Sequence, residues 1–135
     1  MSEFADPKDK TILIVDDDES ICMFLKILME KEGFVSEPCY NGEDAVKIVG
    51  QKKIDLIILD WMMPIISGFE VLKMLQTEEH RGIPVIVITA RVTDQTTIDM
   101  IKQEMNVVDF VPKPVKHTEF VKRIHEILNT GFSKS

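Results

Sequence analysis

The stretch ILIVDDDES, Ile12 to Ser20, decides the fold: four consecutive apolar residues, three of them β-branched, run straight into three aspartates. A strand covered on one face alternates apolar and polar residues, so an unbroken run implies burial on both faces, as in a parallel sheet sandwiched by helices. Leu56 to Leu59 and Val85 to Ile88 repeat the pattern, and each closes on a polar residue, Asp60 and Thr89. Two weaker strands are expected at Phe34 to Glu37, after a Glu32-Gly33 helix stop, and at Phe110 to Val111, before Pro112.

The segments between these runs carry helical spacing. Ile21, Phe24, Leu25, Leu28 and Met29 fall on one face at about 3.6 residues per turn. Ala45, Val46 and Val49 open a second helix after Asn41-Gly42, Phe69, Leu72 and Leu75 a third after Gly68, and Ile98, Ile101 and Met105 a fourth. Phe120, Val121, Ile124, Ile127 and Leu128 make the fifth. Five strand–helix alternations predict an α/β domain, doubly wound, with right-handed crossovers. This domain is expected over residues 10–129, with 1–9 a disordered or cloning-derived leader and 130–135 a tail too short for an output domain.

Composition agrees with one globular domain. The 135 residues leave room for little else, and 44% hydrophobic with 29% charged residues lies far from the balance of a disordered chain. Sixteen basic residues against 23 acidic ones give a net charge of −7, which argues against direct nucleic-acid binding through phosphate neutralisation. Two cysteines, Cys22 and Cys39, are too few for a disulfide framework and lack zinc-site spacing, so they read as core or near-surface thiols. With no apolar stretch of membrane-spanning length and no signal-peptide segment, a cytoplasmic protein that avoids the membrane is expected. His80, His117 and His125 are scattered and expected at the surface.

In open α/β sheets ligands bind beyond the carboxyl ends of the strands, at the switch point of the strand order. Those ends carry Asp16, Asp17 and Asp18, then Asp60, then Thr89 and Ala90, then Lys113 and Pro114. Clustered carboxylates repel one another and hold together around a cation. Oxygen ligands without a dedicated cage favour Mg2+, which shares a phosphoryl oxygen and keeps its waters. An aspartate can then accept a phosphoryl group, with Thr89 donating to a phosphoryl oxygen and Lys113 pairing with the carboxylate or the transferred group. Asp18 and Ser20 have a plainer reading, as N-caps of the first helix.

VDDDES at the first strand end, LDWMMPIISGFE around Asp60, ITA ending at Ala90 and DFVPKP ending at Pro114 together resemble the receiver domain of two-component response regulators, the CheY-like fold. The resemblance covers about Lys10 to Leu128. It implies a five-stranded parallel sheet in the order 2-1-3-4-5 flanked by five helices, a flavodoxin-like arrangement. It implies that Asp60 is the phosphoacceptor, that Asp16, Asp17, Asp60 and the Met62 carbonyl hold Mg2+, and that Thr89 and Phe110 are the switch residues. Lys113 would reach the acceptor from a cis Lys113-Pro114 bond, with Trp61 beside the metal. The donor would be a phosphohistidine on a sensor histidine kinase or a histidine phosphotransfer protein, and the receiver would catalyse only its own modification. A downstream target protein would read the face made by the fourth helix, fifth strand and fifth helix, where Met100 and Met105 lie, with the chain a monomer or weak dimer.

Departures from the family pattern carry expectations of their own. Asn106 stands where glycine is usual, which suggests a left-handed backbone, and Val107 and Val108 make that loop more apolar. Met62 and Arg91 flank the acceptor at positions that tune acyl-phosphate lifetime, and their bulk suggests slow hydrolysis. Two other functions remain open: a haloacid-dehalogenase-like phosphatase using Asp16 and Asp18, and a degenerate receiver serving only as an interaction module.

Overall fold

The computed structural model describes residues 4–77, 79–90, 95–103 and 106–131. Strands β1 (Thr11–Val15), β2 (Val35–Cys39), β3 (Leu56–Asp60), β4 (Val85–Thr89) and β5 (Val107–Pro112) alternate with helices α1 (Glu19–Lys31), α2 (Gly42–Gln51), α3 (Gly68–Met74), α4 (Gln95–Lys102) and α5 (His117–Leu128). The strands form one parallel sheet in the order β2-β1-β3-β4-β5, the expected doubly wound topology.

The unbroken apolar runs divide by the two-residue period of a strand. Leu13, Val15, Ile57, Leu59, Val85 and Val87 pack with Ala45, Val49, Leu72 and Ile101, in one core beneath α2, α3 and α4. Ile12, Ile14, Leu56, Ile58, Ile86 and Ile88 pack with Leu25, Met29, Phe120 and Ile124 beneath α1 and α5. Each central strand thus feeds two cores, which is why no polar residue interrupts it.

Several elements differ from their sequence expectation. On α1 the buried stripe is Cys22, Leu25 and Met29, while Phe24 is 38% exposed. Strand β5 is longer than the Phe110–Val111 pair: Val107 and Val108 open the strand instead of lying in a loop. Asn106 is buried and absent from the left-handed residues; its carbonyl accepts from Val85 N at 2.7 Å and its Oδ1 from Gln76 Nε2 at 3.0 Å. The side-chain bond to Gln76, which ties the segment after α3 to the start of β5, explains that position better than backbone freedom does.

His125 corrects the expectation of three surface histidines: it is 2% exposed, whereas His117 is exposed and His80 intermediate. Its Nε2 donates to Glu32 Oε1 at 2.8 Å, its Nδ1 meets Thr130 Oγ1, and its ring tilts against Phe34 at 4.9 Å. The position follows Val121 by one turn and precedes Leu128, so it lies on the buried stripe of α5. Beside it Ala5 bridges to Thr130, and Pro7–Asp9 form a 3-10 turn, so both flanks of the domain carry structure.

Candidate functional site

Parallel topology delivers every strand's carboxyl end to one edge, so Asp16, Asp60, Thr89 and Lys113 converge there from four strands. Asp16 and Asp60 are buried, at 0% and 3% exposure, while Asp17 reaches solvent. One carboxylate oxygen from each of these three lies within 4.8 Å of the others. Lys113 Nζ donates to Asp16 Oδ2 at 2.8 Å and stands 3.6 Å from Asp60 Oδ1.

Local backbone geometry holds these groups in place. Lys113 N donates to Thr89 O at 2.7 Å, and the Lys113-Pro114 peptide is cis. Asp16 Oδ1 accepts from Asp18 N at 2.9 Å, and the Cys22 thiol donates to the Asp16 carbonyl at 3.2 Å, a contact the sequence did not signal. Asp18 itself caps α1, its Oδ1 accepting from Ser20 N and Ile21 N. That is the plainer of its two readings, and it points this carboxylate at the helix.

After Asp60 the chain turns and starts α3 against it. A Cβ on Gly68 would lie 2.7 Å from the Asp60 carbonyl oxygen and 2.8 Å from Trp61 Cα, so only glycine allows so close a return. Ser67 and Glu70 form a reciprocal capping box that fixes this start. The return places Trp61, intermediate in exposure, edge-on to Phe69 at 5.8 Å, with half-exposed Met62 at the pocket rim.

Asp16 and Asp60 share the Lys113 ammonium with the Asp17 carboxylate close by, so among the described residues acids outnumber cations here, and that sets the electrostatics. Burial, and then the charge of Asp16, pushes the Asp60 carboxyl up to about 6, although Lys113 and the Met62 N–H pull the other way. Burial draws the Lys113 pKa down, but its hydrogen bond to Asp16 and the charges of Asp60 and Asp16 outweigh that and raise it. Burial lifts the Cys22 and Cys39 thiols to about 12, which makes both poor nucleophiles at neutral pH.

The acid pocket encloses about 280 Å³ and is lined by Asp16, Asp17, Asp60, Met62, Ala90 and Lys113 among others. Its oxygen-only donors, with Asp17 open to water, suit a hard divalent cation that retains part of its hydration. Thr89 ends β4, buried, and Pro114 lies just beyond the pocket at the start of an apolar groove. Phe110 is half-buried, packed against the α2–α3–α4 core and away from the acids. Arg91 and Met105 lie outside the described residues.

The profile of the response regulator receiver domain matches residues 12–125. The chain belongs to this family. Response regulator GtcR of Aneurinibacillus migulanus is 37% identical over 123 residues, covering 91% of this chain and 49% of the relative. Transcriptional regulatory protein CpxR of Escherichia coli K12 is 39% identical over 117 residues, covering 87% and 48%. The receiver domain therefore spans about half the length of the curated relatives it matches. Among solved structures, the Francisella response regulator 1452 receiver domain superposes with a TM-score of 0.77 at 28% identity, covering 88% of this chain and 96% of that one. A putative response regulator from Chloroflexus aurantiacus gives 0.79 at 27% identity, covering 88% and 97%.

Proposed function

We propose that this receiver domain takes a phosphoryl group from a phosphohistidine onto Asp60 and relays it as a change in its surface. The supporting observation is the convergence of Asp16, Asp17 and Asp60 within 4.8 Å, with Lys113 bonded to Asp16 and 3.6 Å from Asp60. Asp16, Asp17, Asp60 and the Met62 carbonyl would hold Mg2+. The ion, when bound, offsets the repulsion between the carboxylates and the incoming phosphoryl oxygens.

The chain's own residues supply nucleophile and positioning. An Asp60 oxygen forms the new O–P bond while the P–N bond of the donor breaks and its electron pair leaves with the imidazole. Lys113, already 3.6 Å from Asp60, balances charge on the acceptor, and the Thr89 hydroxyl donates to a phosphoryl oxygen. Movement of Thr89 toward the acyl phosphate, with Phe110 following, would remodel the α4–β5–α5 face read by a downstream protein. Ala90, Trp61 and Pro114 border the site, and the bulk of Met62 and Arg91 would slow hydrolysis of the acyl phosphate. On this reading a sensor histidine kinase or histidine phosphotransfer protein is the donor, in the cytoplasm, and the domain catalyses only its own phosphorylation and dephosphorylation.

Intact-mass analysis after incubation with acetyl phosphate and Mg2+ tests this. A single phosphoryl adduct that disappears in Asp60→Asn is expected. An adduct retained in Asp60→Asn and lost in Asp16→Asn would favour the phosphatase chemistry, and no adduct at all would leave only an interaction module.

A further inference from the structure

Two of the three carboxylates of the acid site hang from one peptide unit, the bond between Asp16 and Asp17. A peptide is planar from one Cα to the next, so turning its carbonyl changes ψ of the first residue and φ of the second together. The direction of the Asp16 carbonyl therefore aims both side chains. Around it Asp16 is tied at its other polar atoms: its N–H donates to the Cys39 carbonyl at 3.2 Å, Oδ1 accepts from Asp18 N at 2.9 Å, and Oδ2 accepts from Lys113 Nζ at 2.8 Å. The carbonyl itself accepts from the Cys22 thiol at 3.2 Å, and that sulfur also stands 3.8 Å from the Cys39 carbonyl. One side chain in the first turn of α1 thus meets the ends of β1 and β2. Asp16 is 0% and Cys22 1% exposed, which closes this contact to water. Asp17 is exposed, and it takes its starting direction from the peptide behind it.

We propose that Cys22 is a positioning residue for the acid site: by donating to the Asp16 carbonyl, its thiol sets the plane of the Asp16–Asp17 peptide and holds both carboxylates toward Asp60. The proposal rests on the reading of these acids as Mg2+ ligands. Cys22 does not line the acid pocket, so it acts through the backbone. A hydrogen bond that orients ligand groups from behind commonly carries about tenfold or more in metal affinity. Packing alone does not call for sulfur here. Alanine or valine would suit a buried stripe shared with Leu25 and Met29, but neither could donate to the carbonyl.

Titration of the whole chain with Mg2+ by calorimetry reads the dissociation constant directly, with unfolding midpoints measured alongside. Cys22→Val fills the space without a donor and Cys22→Ala empties it, and each should weaken Mg2+ binding by about tenfold. Cys22→Ser restores a donor on a side chain of similar size and should recover most of the affinity. Met29→Ala, about two turns further along the same buried stripe, should lower the unfolding midpoint at least as much while leaving Mg2+ affinity unchanged. A dissociation constant unchanged in the folded donorless variants, a serine variant as weak as they are, or an equal loss in Met29→Ala would overturn the positioning role. In each of those results the unmodified protein still binds Mg2+, so the ligand reading stands. Absence of Mg2+ binding by the unmodified protein would overturn the ligand reading and the positioning role together.

Discussion

Two clusters of buried polar groups sit on this molecule, and they are built on opposite principles. Around His125 the groups match: Glu32 accepts from one ring nitrogen, Thr130 meets the other, and the ring rests on Phe34. Around Asp60 they do not match: among the described residues three carboxylates meet one lysine, and the Asp60 carboxyl is raised to about 6. A satisfied cluster ties elements together, here the ends of α1 and α5 and the N-terminal segment. A cluster short of positive charge stays under strain, and on the proposed function a cation would relieve it, which would separate a working site from a clamp.

Backbone conformation follows the same division. The only described non-glycine residues with positive φ are Ile65, at 67°, and Asn129, at 55°. Asn129 ends α5 beside the His125 clamp, and asparagine accepts the left-handed region readily. Ile65 lies in the loop after Asp60, is β-branched and is 97% exposed, so it bears strain with no packing in return.

Breaking the clamp should have the largest effect on stability. His125→Ala removes a buried ring and orphans both Glu32 and Thr130, so denaturant unfolding should show a loss of about 4 kcal/mol. Because His125 is far from the acid pocket in the fold, phosphoryl uptake from acetyl phosphate by the folded variant should be preserved. At the other cluster Lys113→Met leaves Asp16 buried beside Asp60 without the ammonium that pairs with both, and without Mg2+ it should cost about 3 kcal/mol. Saturating Mg2+ should recover part of that loss, a rescue that His125→Ala should lack.

Asp60→Asn should act in the opposite sense. A carboxyl raised from 3.8 to about 6 on folding contributes stability that is full below about pH 3.8 and lost as pH rises through 6. At neutral pH without Mg2+, the variant should therefore be more stable than the unmodified protein by about 2 kcal/mol. The gain should shrink toward zero near pH 4, and a gain independent of pH would contradict the charge-imbalance account. The smallest effect is expected from Ile65→Gly, which relieves the left-handed strain and should add about 1 kcal/mol, visible as a raised thermal midpoint. Together these variants would show one cluster that weakens the fold when cut and another that strengthens it when disarmed.

Much of the site was legible in the sequence. Asp16, Asp17, Asp60, Thr89 and Lys113 each follow an apolar run, and in a parallel sheet every such run ends at the same edge. Their convergence needs only the strand count and the crossover rule. The clamp was not legible, because a histidine among charged residues reads as solvated until the phase of the α5 stripe is known. Val121 and Leu128 could have supplied that phase: His125 lies one turn from each. On α1 one residue of the expected face departs: Leu25 and Met29 are buried and Ile21 and Leu28 pack against the core, but Phe24 turns outward. Phe24 satisfies the helical period, yet the smaller Cys22 takes the place against the sheet, where its thiol reaches the Asp16 carbonyl. Gly68 gave no warning, since a glycine's reason lies in the atoms that approach it.

The sequence by itself determined the alternation of strands and helices, and with it the edge on which the acids meet, since both follow from local period and chain connectivity. Only the tertiary structure decided the balance within each buried cluster. Whether a carboxylate finds one partner, three rivals or none depends on distances of a few ångströms between elements far apart in the chain. Asp16 and Lys113, 97 residues apart and 2.8 Å from contact to contact, are the plainest case.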